Sequence, residues 1–207
     1  MTLVISLVVL FFSIVIHEVA HGSMALHLGD PTAKNAGRLT LNPLKHIDPF
    51  GTILLPIITF AITAMAGRGL IFGMAKPVPV NPFYFKDKKW GNLKVSIVGP
   101  AANFLLAFIF GMIIRFFVLP EGMTTLFAIV VFYNLLWGMF NLVPIPPLDG
   151  SHILFTFLPD RFMKAKIFMQ QHGFLILIIF LFTFGLQLLG DLSRYAYFFI
   201  TGHPPVI

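Results

Sequence analysis

No cysteine occurs in the 207 residues. Disulfides are therefore excluded, as is any zinc site built on thiolates, so a metal here would have to use His, Asp or Glu. Charge is also scarce. Asp, Glu, Lys and Arg make up 11% of the chain, against about a quarter in a soluble domain. The other side of that scarcity is 57% hydrophobic residues and a mean hydropathy of +0.90, the composition of a chain built for lipid. Internal repeats and low-complexity tracts are lacking. The longest polar stretch, Gly29–Lys94, is itself interrupted by apolar residues and leaves no room for an added soluble domain. No basic residue precedes the first apolar run, which argues against a secretory signal peptide at the N-terminus. The expectation is a single membrane-embedded unit over residues 1–207.

Four apolar blocks are long enough, or nearly so, to cross a hydrocarbon core of roughly 30 Å. They are Leu3–Leu28, Val95–Leu119, Thr124–Val143 and Phe174–Leu189. A fifth, Phe50–Ala66, is shorter and interrupted by proline. A spanning segment must satisfy its own backbone hydrogen bonds, so these blocks predict helices. The fold class expected is an all-α polytopic membrane protein with about four to five transmembrane helices. A re-entrant or shallow segment and short β-strands in the connecting loop would complete it. Net charge is +6; with the cations outside the apolar blocks, that charge suits anionic headgroups of a bilayer and gives no reason to expect nucleic acid.

His17-Glu18-Val19-Ala20-His21 carries the richest chemistry. Residues four apart stack on one helical face, so both imidazoles can reach one zinc ion while Glu18 stands beside it as a general base. A five-residue match also arises by coincidence. Here it follows fourteen residues, Leu3–Ile16, without a charged side chain, and ionisable groups inside a spanning helix are costly and generally functional. His27, ten residues after His17, is a rival third ligand. The soluble arrangement with that spacing needs a glycine three after the second His, and Met24 stands there. On a straight helix ten residues leave His27 roughly 80° from His17, which suits a histidine at the membrane interface.

The missing ligand has a candidate in Asn141-Leu-Val-Pro-Ile-Pro-Pro-Leu-Asp149-Gly150. Pro144, Pro146 and Pro147 cannot continue a helix, and unwound backbone at membrane depth is tolerated where protein or a water-filled cavity shelters it. The run can equally be read as a helix ending at the interface. Paired with two histidines that lack a partner, Asp149 completes a set of two His and one carboxylate with an open position.

Three separated motifs together resemble the site-2 proteases, which are intramembrane zinc metalloproteases. They are His17-Glu18-Val-Ala-His21, Gly99-Pro100-Ala-Ala-Asn103, and Asn141-x-x-Pro144-x-Pro146-x-Leu148-Asp149-Gly150, in the family's order and spanning most of the chain. The resemblance implies one zinc ion per chain held by His17, His21 and Asp149, with Glu18 as catalytic acid/base. It also implies that Asn141 orients the substrate carbonyl or stabilises the oxyanion; the plainer reading of Asn141 is a packing or capping amide. Phe72–Pro82 is similar to a loop of the short members, and no PDZ-like or CBS-like insertion fits here. The implied function is hydrolysis of peptide bonds in or near transmembrane segments of membrane proteins. A zinc transporter and a catalytically idle binding relative are the alternatives; the first lacks repeated halves and the second has no use for Glu18. Asn103 and Asn134 read equally well as interhelical amides, and His46, His152, His172 and His203 are assigned no catalytic role.

Topology can be argued from the ligands alone. The two His lie late in their helix and Asp149 beyond the end of its own, so both helices must run in the same direction. Phe50–Ala66 is therefore expected to dip in and return, or to lie shallow. Gly29–Lys94 then becomes one loop holding Lys34, Arg38, Lys45, Arg68, Lys76, Lys86, Lys88, Lys89 and Lys94. Arg161, Lys164 and Lys166 join it on the same side, against Arg115 and Arg194 opposite. By the positive-inside rule the large loops are expected to face the cytoplasm, with the active site toward that side and both termini outward; the size and the missing modules point to a prokaryotic cell membrane. Within the loop, Gly37–Asn42 alternates polar and apolar residues as a short strand would. Lys76–Pro82 suits an edge strand able to pair with unwound substrate.

Overall fold

The computed structural model describes residues 2–54, 57–58, 60–61 and 76–205. Helix α1 (Thr2–His27) is apolar through most of its length. It stops where Gly29 adopts a φ of 102°, a backbone state that glycine enters without a Cβ penalty. There the Gly29 and Asp30 N–H groups donate back to Leu26 and Ala25 carbonyls, satisfying the helix end. A short helix α2 (Thr32–Asn35) follows. Helix α3 (Lys88–Phe116) begins at Asp87, whose carboxylate accepts from the Lys89 and Trp90 N–H groups at 3.0 and 3.1 Å, as a helix N-cap does. Helix α4 (Glu121–Asn141) follows Pro120, and α5 (Asp149–Phe157) is a short helix. Helix α6 (Met163–Phe180) runs through a wider π-type turn at Leu181–Gly185 into α7 (Leu186–Thr201).

Among the described residues, four helical stretches are long and apolar enough to cross a membrane: Leu3–His27, Lys88–Phe116, Glu121–Asn141 and Asp160–Thr201. The last has 42 residues, about 63 Å at 1.5 Å per residue, which is twice a hydrocarbon core. The stretch therefore cannot lie wholly within one, and Arg161, Lys164 and Lys166 stand in its first turns.

Side-chain contacts fix the helix directions. Ser13 and His17 of α1 meet Asn103 of α3, while the later His21 meets the earlier Val95, so α1 and α3 are antiparallel. Asn103 meets Asn134 and Phe110 stacks edge-on against Phe127, so α3 and α4 are antiparallel too. Helices α1 and α4 thus run in the same direction, as the ligand argument requires. On the far side of the molecule, Ala107, Ala128, Val131, Leu135 and Tyr197 form a buried cluster, and Arg115 donates to the Phe199 and Ile200 carbonyls. Near the site, Val143, Leu148, Leu177 and Leu189 form a second cluster that ties α6 and α7 to the unwound end of α4.

The predicted short strands are not formed among the described residues. Gly37–Asn42 follows a turn and irregular backbone. Pro77–Asn81 is irregular too and joins no strand, for a physical reason: prolines 77, 79 and 82 remove N–H donors that a ladder needs, and the Val78 and Asn81 N–H groups are taken by Glu18 and Asp30. Of Phe50–Ala66, a π-type helical turn at Pro49–Leu54 and the helical residues 57–58 and 60–61 are described; its predicted re-entrant course lies largely outside the described residues.

Candidate metal centre

Helix α1 sets His17 and His21 one turn apart, and α3 gives each a fixed orientation. The Nδ1 of His21 lies 2.7 Å from the Val95 carbonyl oxygen, a group that can only accept, so this nitrogen carries the ring proton. The Nδ1 of His17 lies 2.8 Å from Asn103 Oδ1. Both Nε2 atoms are then left with lone pairs, and they face each other at 2.9 Å. Asp149 Oδ2 sits 3.1 Å from each. Two lone pairs and a carboxylate pointing at one spot with no proton between them repel, and a cation relieves that repulsion. The triangle of about 3 Å is also close to the roughly 3.3 Å that ligands at 2.0–2.1 Å from a tetrahedral zinc would show. Among the described residues, His17, His21 and Asp149 are the group that could hold a metal, and the chemistry of the set fits zinc.

The unwound end of α4 is what brings Asp149 to α1. Helix α4 ends at Asn141, and the proline-bearing Leu142–Leu148 turns the chain so that α5 starts at Asp149 itself. The turn is tight: a Cβ on Gly150 would lie 2.1 Å from the Leu142 carbonyl oxygen, a backbone atom that cannot step aside. Gly99 clears the opposite wall, where the imidazoles pass close to α3.

Glu18 points to another partner. Its Oε2 accepts from the Val78 N–H at 2.7 Å, so the segment predicted as an edge strand is held across the site. Three further anchors hold it. Arg38, buried, donates to the Lys76 carbonyl; Lys76 N–H donates to the His46 carbonyl; and Asn81 N–H donates to Asp30 Oδ2 at 2.6 Å. Gly22 lets it approach α1, since a Cβ there would lie 2.7 Å from Val78 Cγ1. Asp30 is buried, which opposes its ionisation, but donors from Thr32 and Asn81 outweigh that and hold its pKa below the ordinary 3.8.

A cavity of about 390 Å³ opens on the site, lined by Glu18, both histidines, Val78, Val80, Asn141 and Asp149. Asn141 Nδ2 donates to the Trp137 carbonyl at 3.0 Å, one turn back along α4, and its amide carries a second N–H. His27 stands exposed beyond the end of the metal group and lines a different cavity. His152 lines the mouth of the site cavity. Sequence reasoning missed the Val95 carbonyl, the Val78 N–H and the edge-on Trp137 ring 6.3 Å from His17. Backbone groups leave no trace in residue identity, so the first two had no signal to find.

The sequence pattern of peptidase family M50 matches residues 117–182, a stretch that holds Asn141 and Asp149. "Putative zinc metalloprotease YwhC" of Bacillus subtilis is 39% identical over 195 residues, which cover 87% of this chain and 80% of that protein. "Putative zinc metalloprotease Rip2" of Mycolicibacterium smegmatis is 32% identical over 177 residues, covering 83% of this chain and 64% of that protein. "Zinc metalloprotease MJ0392" of Methanocaldococcus jannaschii is 30% identical over 91 residues, covering 43% of this chain and 27% of that protein. No solved structure matches the chain.

Proposed function

The chain belongs to peptidase family M50, the site-2 type of intramembrane zinc protease, and from that membership we propose that His17, His21 and Asp149 hold its zinc ion and that Glu18 is the general base. The observation that carries the assignment is the convergence of two Nε2 atoms and one Oδ2 within 3.1 Å of one another, with Asp149 brought to α1 by the unwound end of α4, which runs parallel to it. When bound, zinc supplies Lewis acidity, lowering the pKa of water and polarising a carbonyl. The chain's own residues do the rest. Glu18, next to His17 on α1 and facing the same cavity, takes the proton from the attacking water and passes it to the leaving nitrogen. Asn141, which lines the same cavity, donates its second amide N–H to the developing oxyanion.

A peptide bond inside a spanning helix is shielded by its own hydrogen bonds, so the substrate proposed is a membrane protein whose transmembrane segment unwinds locally at the cavity. The strap of residues 76–82 across the site supports that reading, because it leaves room for an extended chain more readily than for a helix of about 10 Å diameter. The proposed location is a prokaryotic cell membrane, and the side on which the cations collect supports a site toward the cytoplasm.

The test uses purified full-length protein in detergent or liposomes, with zinc content and cleavage of a model transmembrane substrate measured together. Glu18→Gln should lose roughly 10²–10⁴-fold in cleavage rate while keeping one zinc per chain. Full activity in that variant would defeat the mechanism.

A further inference from the structure

His17 can serve as a ligand through Nε2 only when its proton is on Nδ1, and no backbone group enforces that. His21 differs, because its Nδ1 faces the main-chain carbonyl of Val95. His17 instead faces a side-chain amide, and an amide presents either a donor or an acceptor depending on which way it is turned. The surroundings of that amide decide the matter.

The chain of contacts begins on α4. Asn134 lies 2.9 Å from the Val130 carbonyl oxygen, which can only accept, so Asn134 turns its NH2 group there. Its Oδ1 is left facing α3. Asn103 meets that Oδ1 at 2.9 Å and the Ser13 carbonyl oxygen at 3.0 Å. Both are acceptors, so Asn103 must turn its NH2 toward them. The one group of Asn103 left for His17 is Oδ1, 2.8 Å from Nδ1, and the proton of His17 therefore sits on Nδ1. Both amides are sealed from solvent, Asn103 at 0% and Asn134 at 1% exposure, so water cannot substitute for a missing partner.

We propose that Asn103 and Asn134 are positioning residues: a two-amide relay, anchored on the Ser13 and Val130 carbonyls, that fixes the tautomer and ring rotation of His17 for metal binding. The inference rests on the zinc assignment above and deepens it. It gives α4 a second task, since the helix that leads to Asp149 also dictates, through Asn134, the state of a ligand on α1 that Asn134 does not touch. Outer partners of metal-bound histidines typically change metal affinity by about 10–100-fold when removed.

The experiment is zinc affinity by chelator competition on purified full-length protein, with the visible spectrum of the cobalt-substituted form and the unfolding temperature of the metal-free form recorded alongside. Asn103→Leu should bind zinc roughly 10–100-fold more weakly than wild type with an altered cobalt spectrum. Asn134→Leu should weaken binding in the same direction by a smaller factor. Asn103→Asp keeps an acceptor for the Nδ1 proton and should recover part of the affinity lost in Asn103→Leu. Wild-type affinity in both leucine variants would overturn the relay even if their unfolding temperatures fall, and so would equal weakness of Asn103→Asp and Asn103→Leu. Failure of the zinc assignment looks different: wild type and His17→Ala would then bind zinc alike. If Asn103→Leu does not fold, Asn134→Leu alone decides, because a pure packing role predicts unchanged affinity for the protein that does fold.

Discussion

A Cβ at position 99 would lie 2.5 Å from Cε1 and Nε2 of His21 and 2.8 Å from Cε1 of His17. Contacts that short force something to move, and what must move is the pair of rings whose Nε2 atoms meet at 2.9 Å. Gly99 is thus part of the site without offering any chemistry. Gly99→Ala should lower zinc affinity by at least about tenfold, comparable to losing an outer-shell partner, while the protein still inserts and folds; chelator competition and circular dichroism would check the two halves. Undiminished affinity would mean that α3 can shift away from α1 as a body. The sequence offered Gly99-Pro100-Ala-Ala-Asn103 as a motif, but small residues there fitted ordinary close packing equally well. In the fold the space that Gly99 leaves is filled by the two imidazoles.

Among the elements, the segment from Lys76 to Pro82 departs furthest from its sequence reading. Alternation suggested a strand, whereas the backbone is fastened by Glu18, Arg38, His46 and Asp30. Asp30 makes this fastening sensitive to acid. Its pKa is held below 3.8 in the folded chain, so its contribution is fully present above the unfolded value of about 3.9 and is lost as pH falls through the lower folded value. The difference in unfolding temperature between wild type and Asp30→Asn should therefore be constant from neutral pH down to about pH 4–5 and shrink below it. A difference that persists unchanged to pH 2 would show that the Asp30 charge contributes nothing. The unwound end of α4 went the other way: Pro144, Pro146 and Pro147 announced it, and the helix does end at Asn141.

At the scale of the molecule the question is which ends of the helices share a side. Lys88 and Arg115 stand at opposite ends of the 29-residue α3, about 40 Å apart along its axis. Lys45 lies beside His46 in the loop that fastens the strap, on the side of Lys88. Because the chain has no cysteine, single cysteines can be introduced without background. Lys45→Cys and Lys88→Cys should label from the same face of oriented membranes and Arg115→Cys from the other. Labelling of positions 45 and 88 from opposite faces would sink the topology and with it the parallel course of α1 and α4. By itself the sequence determined the solvent, the four apolar spans, the break after Asn141 and the residue types able to hold zinc, since composition, length and proline chemistry are local properties. Only the tertiary structure decided that His17, His21 and Asp149, 128 positions apart from His21, meet within 3.1 Å. It also decided that Val78 faces Glu18, and that two buried amides orient His17. Those facts depend on which backbone groups face one another across helices, and a backbone carbonyl or N–H is the same at nearly every position in the chain.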